Sequence, residues 1–313
     1  MDYAQPGAAY FEKRGLRRHA GVLQLWALGV GAVISGDFFG WNFGLAAGGF
    51  GGLVSALAVM TVLYIGLCFS IAEMSPALPH TGGAYSFART AMGPWGGYIT
   101  GLAENMEYIL TPAVIVVGVG GYLGAIFGTP EPWEPAWWVL CYVAFVVFNI
   151  AGVQLSFRIS VLITICALAI LAVFYAGASP RFDLHRWALE NGPWLPTGWF
   201  GVLACLPFAL WVYLGIEQLP LAAEESHDPA RDMPRGSLSG LVTLIACSFL
   251  TVVLNSGLQP GATAIGASNE PLFLGFRAIF GGGLRTNGSS INSSSSSVAT
   301  VPRSAIAPSA SKR

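Results

Sequence analysis

The chain has 313 residues, 54% hydrophobic and only 10% charged, with a net charge of −1 and a mean hydropathy of +0.61. Soluble domains carry about a quarter charged residues, so this composition excludes a water-coated globular enzyme. The near-zero charge, with no basic stripe on any apolar segment, excludes a nucleic-acid partner.

The apolar runs reach the roughly 20 residues a helix needs to cross a bilayer. A polar segment, residues 1–22, precedes them and lacks the short apolar core of a signal peptide. Seven spans follow, at about residues 23–45, 53–72, 94–127, 136–152, 159–178, 199–221 and 238–257. The third exceeds the hydrocarbon thickness and is expected to tilt or run into a loop. Residues 23–283 form the membrane domain, and residues 284–313 form a Ser-rich, aperiodic tail that reads as disordered. Glu270-Pro-Leu-Phe-Leu-Gly-Phe-Arg277 before it reads as the run-up to a further helix that does not arrive, as a truncation or frameshift would leave it. Asn287 and Asn292 match glycosylation acceptors, a weak signal in such a tail.

An inward N-terminus places Lys13, Arg14, Arg17, Arg18, Arg89, Arg158, Arg231 and Arg235 in cytoplasmic segments, against Arg181 and Arg186 opposite. This is the positive-inside asymmetry. Cys68, Cys141, Cys166, Cys205 and Cys247 all fall in apolar segments without metal-ligand spacing, and read as small buried hydrophobes. His19, His80, His185 and His227 fall in loops and form no triad or metal set. Neither an enzyme nor a bound cofactor is expected.

Two spans carry helix-breaking composition. The first holds Gly29, Gly31 and then Ser35-Gly-Asp37, and the sixth holds Pro207 through Gly215 to Glu217. Glycine frees the backbone and proline removes a donor. Unpaired backbone in lipid persists only where protein or a water-filled cavity satisfies it. A pair of interrupted spans five positions apart points to a midplane site between inverted repeats. Four acids accompany the breaks: Asp37, Glu104, Glu107 and Glu217, with no Lys or Arg inside any span. Intramembrane acids without a protein cation need a proton or a cationic ligand. Blander roles stay open for each. Asp37 could cap a helix end, Glu104 and Glu107 could share a water-facing helix face, and Glu217 could accept bonds from freed backbone. Trp211 and Tyr213 offer aromatic faces to a cation or plain packing.

Three stretches resemble the amino acid–polyamine–organocation transporters. They are Pro79-His-Thr-Gly-Gly-Ala-Tyr85 with Gly93-Pro-Trp-Gly-Gly97, then Tyr213-Leu-Gly-Ile-Glu217 with Glu224-Glu-Ser-His-Asp-Pro229, and Ser35-Gly-Asp37. Residues 31–44 are most similar to bacterial ethanolamine permeases. The resemblance implies an all-α polytopic protein with a LeuT-like inverted-repeat transporter fold, of whose ten core helices this chain supplies about seven. It implies a secondary transporter in the bacterial inner membrane, working by alternating access, with symport or substrate exchange.

By that resemblance Ser35, Gly36 and Trp211 fall at binding positions, and the residue reading adds Asp37, Glu104, Glu107, Tyr213 and Gly215, with Gly36 and Gly215 supplying the backbone breaks. Glu217, Gly82, Gly83 and Tyr85 are structural or gating residues. Asp37 replaces a small residue where family members meet a substrate carboxylate, which favours an amine lacking one. The expected partners are a small cationic amine, a coupling proton or sodium ion, the lipid bilayer and a second copy in a homo-oligomer. A general amino acid or polyamine permease, or a fragment without transport, is the alternative. A seven-helix photosensor is disfavoured because Lys13 and Lys312, the only lysines, lie outside every span.

Overall fold

The computed structural model describes residues 20–78, 82–150, 153–190 and 192–281, with backbone alone for Glu131, Asn149 and residues 153–158. The basic N-terminal residues, Pro79-His-Thr of the first motif, the Arg158 side chain, Asn287, Asn292 and the Ser-rich tail lie outside the described residues or side chains. Among the described residues every regular element is helical, and the one extended pairing is an isolated bridge between Ala20 and Ser226.

In chain order the helices are α1 (Val22–Val33), α2 (Ser35–Phe38), α3 (Phe43–Ala77), α4 (Gly83–Phe127), α5 (Glu134–Ile150) and α6 (Val153–Ala178). They continue with α7 (Gly198–Trp211), α8 (Pro229–Ser256), α9 (Ala262–Gly266) and α10 (Pro271–Phe280). A 3₁₀ helix, Ile216–Glu225, lies between α7 and α8. Five segments are long and apolar enough to cross a membrane: Phe43–Ala77, Gly83–Phe127, Ile159–Arg181, Gly198–Glu225 and Pro229–Ser256. The first and fourth expected spans are shorter apolar helices, one because it is broken and one because it holds few residues. Large apolar side chains such as Val62, Ile109, Val139, Leu162 and Phe200 face outward. Lipid, unlike water, accepts such a surface. This is a multi-pass membrane protein.

Several sequence expectations need correction. Gly29 and Gly31 do not break the first helix, because α1 runs through both. Gly36 does not break it either. It lies inside the helical turn α2, and the chain leaves helical geometry only at Phe39 and Gly40. The motif segment before Trp95 is helical rather than a loop, so α4 starts at Gly83 and turns sharply at Gly93, where φ is +74°. The run-up to a further helix is itself a helix, α10. Cys166 is exposed, whereas the other four cysteines are buried and all five are free. Apolar context in a membrane segment does not distinguish a lipid-facing position from a packed one.

The tightest packing joins α3 to α7. α3 turns at Gly49, where φ is +74°. Gly48 and Gly52 on either side of the turn meet Gly201 and Cys205 of α7, and Cys205 Sγ donates to Gly44 O at 3.1 Å. A β-carbon on Gly48 would lie 2.5 Å from Cys205 Sγ. Helices in lipid gain no hydrophobic driving force from each other, so close backbone approach through small residues supplies the attraction. α8 packs against both α1 and α3, and α6 lies along α1. Trp26 Nε1 donates to Thr243 Oγ1 at 3.0 Å and ties α1 to α8. This frame holds the two broken helices side by side at the centre.

Candidate functional site

A helix that stops in a membrane leaves carbonyls without partners, and each costs several kcal/mol unless satisfied. At the end of α2 three successive carbonyls are freed, and three aromatic donors take them. Trp41 Nε1 donates to Asp37 O at 3.2 Å. The Tyr122 hydroxyl, from α4, donates to Phe38 O at 2.6 Å. Trp211 Nε1, at the end of α7, donates to Phe39 O at 2.9 Å. Asn42 then accepts from Gly40 N at 3.1 Å and donates to Ile265 O and Ser268 O. The break is therefore pinned from α4, α7 and α9 at once.

The second break is built differently. α7 ends at Trp211, and Gly215 adopts φ +112°, which a residue with a side chain rarely tolerates. The chain resumes as a ten-residue 3₁₀ helix, unusually long for that geometry. Both Glu217 carboxylate oxygens accept from Gly215 N at 3.0 Å. Gly36 sits directly against this turn: a β-carbon there would lie 2.8 Å from Trp211 O and 3.1 Å from Val212 Cα. Its role is close approach of two backbones. Trp211→Phe keeps the ring, deletes the donor and strands Phe39 O. It is expected to lose about 1–3 kcal/mol, seen as a lower melting temperature in detergent.

The predicted site residues divide between two places. Asp37 is 1% exposed, and among the described residues no group donates a hydrogen bond to either carboxylate oxygen. The Thr251 hydroxyl of α8 lies beside it, and Tyr175, Tyr213 and Cys247 are within electrostatic reach. Tyr213 is fully buried, with its hydroxyl 2.7 Å from Thr61 Oγ1 and 3.0 Å from Ser248 Oγ and its ring 5.2 Å from Tyr64.

The glutamates gather elsewhere. Gln218 Nε2 donates to Glu107 Oε1 at 2.7 Å, and the Glu107 and Glu217 carboxyls are within hydrogen-bonding reach of each other. Glu104 accepts from the backbone N–H groups of Ala84 and Tyr85, at the start of α4. That is the favourable end of a helix dipole for an anion. The geometry follows from the turn at Gly93, which lays the first part of α4 back along its continuation, so that Tyr85 packs near Gly97 and Gly101. Gly82 sits at the N-cap of α4. Gly83, with φ +47°, packs on Leu221 of the 3₁₀ helix. Tyr85 accepts from Arg89 Nη1 at 2.6 Å.

A cavity of about 720 Å³ opens between α1, α2, α4, α5 and α6, lined mostly by apolar groups including Phe38, Phe39, Val116 and Ile163. Of the predicted binding residues only Ser35 borders it. A smaller cavity of about 270 Å³ reaches Gly215 between α1 and the 3₁₀ helix. Asp37 borders neither, so this conformation encloses it. Sequence reasoning missed Trp41, Tyr122, Tyr175 and Thr251. Their contacts come from distant segments, and no local signal separates an aromatic donor from lipid-facing packing.

At the start of α1, Ala20 N donates to Glu225 O at 2.9 Å and His227 N to Ala20 O at 3.0 Å. The Glu224-Glu-Ser-His-Asp-Pro229 motif thus clamps the beginning of the first broken helix to the end of the second. It also starts α8, with Asp228 as N-cap, Pro229 at N1 and Asp232 Oδ2 accepting from Asp228 N at 3.3 Å.

The profile of the family described as "Amino acid permease" matches residues 23–295. The chain belongs to that family. It is similar to an uncharacterized transporter of Rhizobium meliloti (strain 1021), 34% identical over 280 residues that cover 87% of this chain and 60% of that protein. A branched-chain amino acid permease of Bacillus subtilis (strain 168) is 26% identical over 287 residues, 84% of this chain and 59% of its own. A chloroplastic cationic amino acid transporter of Arabidopsis thaliana is 27% identical over 267 residues, 78% and 45%. These relatives carry the names of transporters, not enzymes. The chain spans about three fifths of the length of the first two.

Proposed function

We propose that this member of the amino acid permease family takes part in secondary transport of ethanolamine or a related small amine. It would act in the bacterial cytoplasmic membrane, with its N-terminus inside, by alternating access of the two broken helices. The observation that carries this reading is Asp37, an enclosed acid that no group among the described residues satisfies, set at the break of the first helix. A buried acid in a membrane is costly and marks a ligand, a partner or a proton. A primary ammonium supplies both the charge and the three donors that Asp37 lacks, whereas the carboxylate of an ordinary amino acid would be repelled. Trp211 and Gly36 hold the two breaks together around it. Glu104, Glu107 and Glu217 lie apart from it and act in gating or proton handling.

The second reading is an amino acid permease, favoured by the name of the Bacillus subtilis relative. A binding panel on the purified chain in nanodiscs separates the two. Ethanolamine is expected to bind, and putrescine more weakly if at all, with leucine producing no heat. Leucine binding with ethanolamine silent would overturn the amine reading.

A further inference from the structure

We infer that Asp37 is an exchange point at which an arriving amine displaces a proton, so that each amine bound releases one. This rests on the amine reading above and adds its coupling.

The hydroxyl protons that neighbour Asp37 are held by other acceptors. The Tyr175 hydroxyl lies 3.0 Å from Cys247 O and 2.8 Å from Thr251 Oγ1. A carbonyl only accepts, so the single Tyr175 proton goes to Cys247 O. Thr251 must then donate to Tyr175, and it turns a lone pair toward Asp37. Tyr213 is likewise constrained by its neighbours. Thr61 Oγ1 donates to Leu57 O at 2.8 Å, so in the 2.7 Å contact with Tyr213 the tyrosine is the donor. With the Tyr213 proton given to Thr61, the one Ser248 proton is shared between Tyr213 at 3.0 Å and Ile245 O at 3.2 Å. The protons of the Tyr175, Thr251, Tyr213, Thr61 and Ser248 hydroxyls are thus committed away from Asp37.

The remaining titratable neighbour is Cys247, a weak donor. Among the described residues the arginines and histidines lie near helix ends or in connecting segments, away from the break of the first helix.

A bare carboxylate at this point would face oxygen lone pairs in a low-dielectric enclosure, with nothing to offset its desolvation. A carboxylic acid has no charge to desolvate, and its O–H is the one proton available to face the Thr251 lone pair. The empty site therefore holds Asp37 neutral. An ammonium ion brings its own protons: it donates to Asp37 and to the lone pair of Thr251, and that arrangement requires the carboxylate. The acid proton leaves for bulk solvent as the ammonium–carboxylate pair forms, and charge is conserved. Coupling at this residue is an exchange of one cation for another rather than co-transport.

The test is calorimetry of ethanolamine binding to the full chain in nanodiscs, run at one pH in buffers of different ionisation enthalpy. The dependence of the heat on buffer counts protons. About one proton released per amine is expected, with apparent affinity rising about tenfold per pH unit while Asp37 remains protonated in the empty site. Thr251→Val removes the acceptor and keeps the shape, and it is expected to lower the proton count below that of the wild type. Binding with no proton released, or with proton uptake, overturns the exchange while leaving the amine reading intact. Absence of any binding overturns both.

Discussion

Asp37→Asn is expected to abolish amine binding and at the same time raise the melting temperature of the empty protein. The two effects have one cause. Asp37 is enclosed, and among the described residues none gives either of its oxygens a hydrogen bond, so the wild type bears the desolvation of an acidic group for the sake of a ligand. Asparagine keeps the shape, never charges, and can donate its amide N–H to the Thr251 lone pair. Relief of an unsatisfied buried polar group is worth about 1–3 kcal/mol, a shift of several degrees. Binding falls because a neutral amide attracts an ammonium far less than a carboxylate does. Thermal unfolding in detergent with and without ethanolamine reads both effects. Ligand should stabilise the wild type and leave the variant unmoved. A variant less stable than the wild type would mean that Asp37 has a structural partner, and would remove the basis for a ligand there.

Gly36→Ala carries the second large effect. The added methyl would meet Trp211 O and Val212 Cα, both backbone atoms that cannot rotate away, so the two breaks must separate. Overpacking of this kind costs about 1–3 kcal/mol. It also strains the Trp211 Nε1 bond to Phe39 O, which holds the breaks in register. Lower stability and at least tenfold weaker amine binding are expected, measured by thermal unfolding and calorimetry. Gly29→Ala is the control, because its β-carbon would meet Leu219 methyl groups at an ordinary 3.8 Å. Equal losses in both variants would show that the effect is one of glycine in a helix, not of contact between the breaks.

Much of this was legible along the chain. Membrane class followed from 54% hydrophobic against 10% charged residues, because lipid-facing surface needs no charge. The second break was legible because Gly215 is a local requirement, a positive φ that few residues accept. Asp37 and Glu217 stood out because an acid in an apolar run is costly wherever it points.

The tertiary structure decided the rest. Gly29, Gly31 and Gly36 have the same composition as a break, yet they lie in helices, since glycine permits an interruption without imposing one. The first helix is interrupted at Phe39, where Trp41, Tyr122 and Trp211 supply partners for three freed carbonyls, two of those partners coming from residues more than 80 positions away. The four acids looked like one set, but the turn at Gly93 and the packing of α8 sort them into an isolated Asp37 and a distant glutamate group. The sequence by itself determined which groups must be satisfied. Only the folded arrangement decided which partner satisfies each, because hydrogen-bond direction and close backbone approach depend on segments that meet in space.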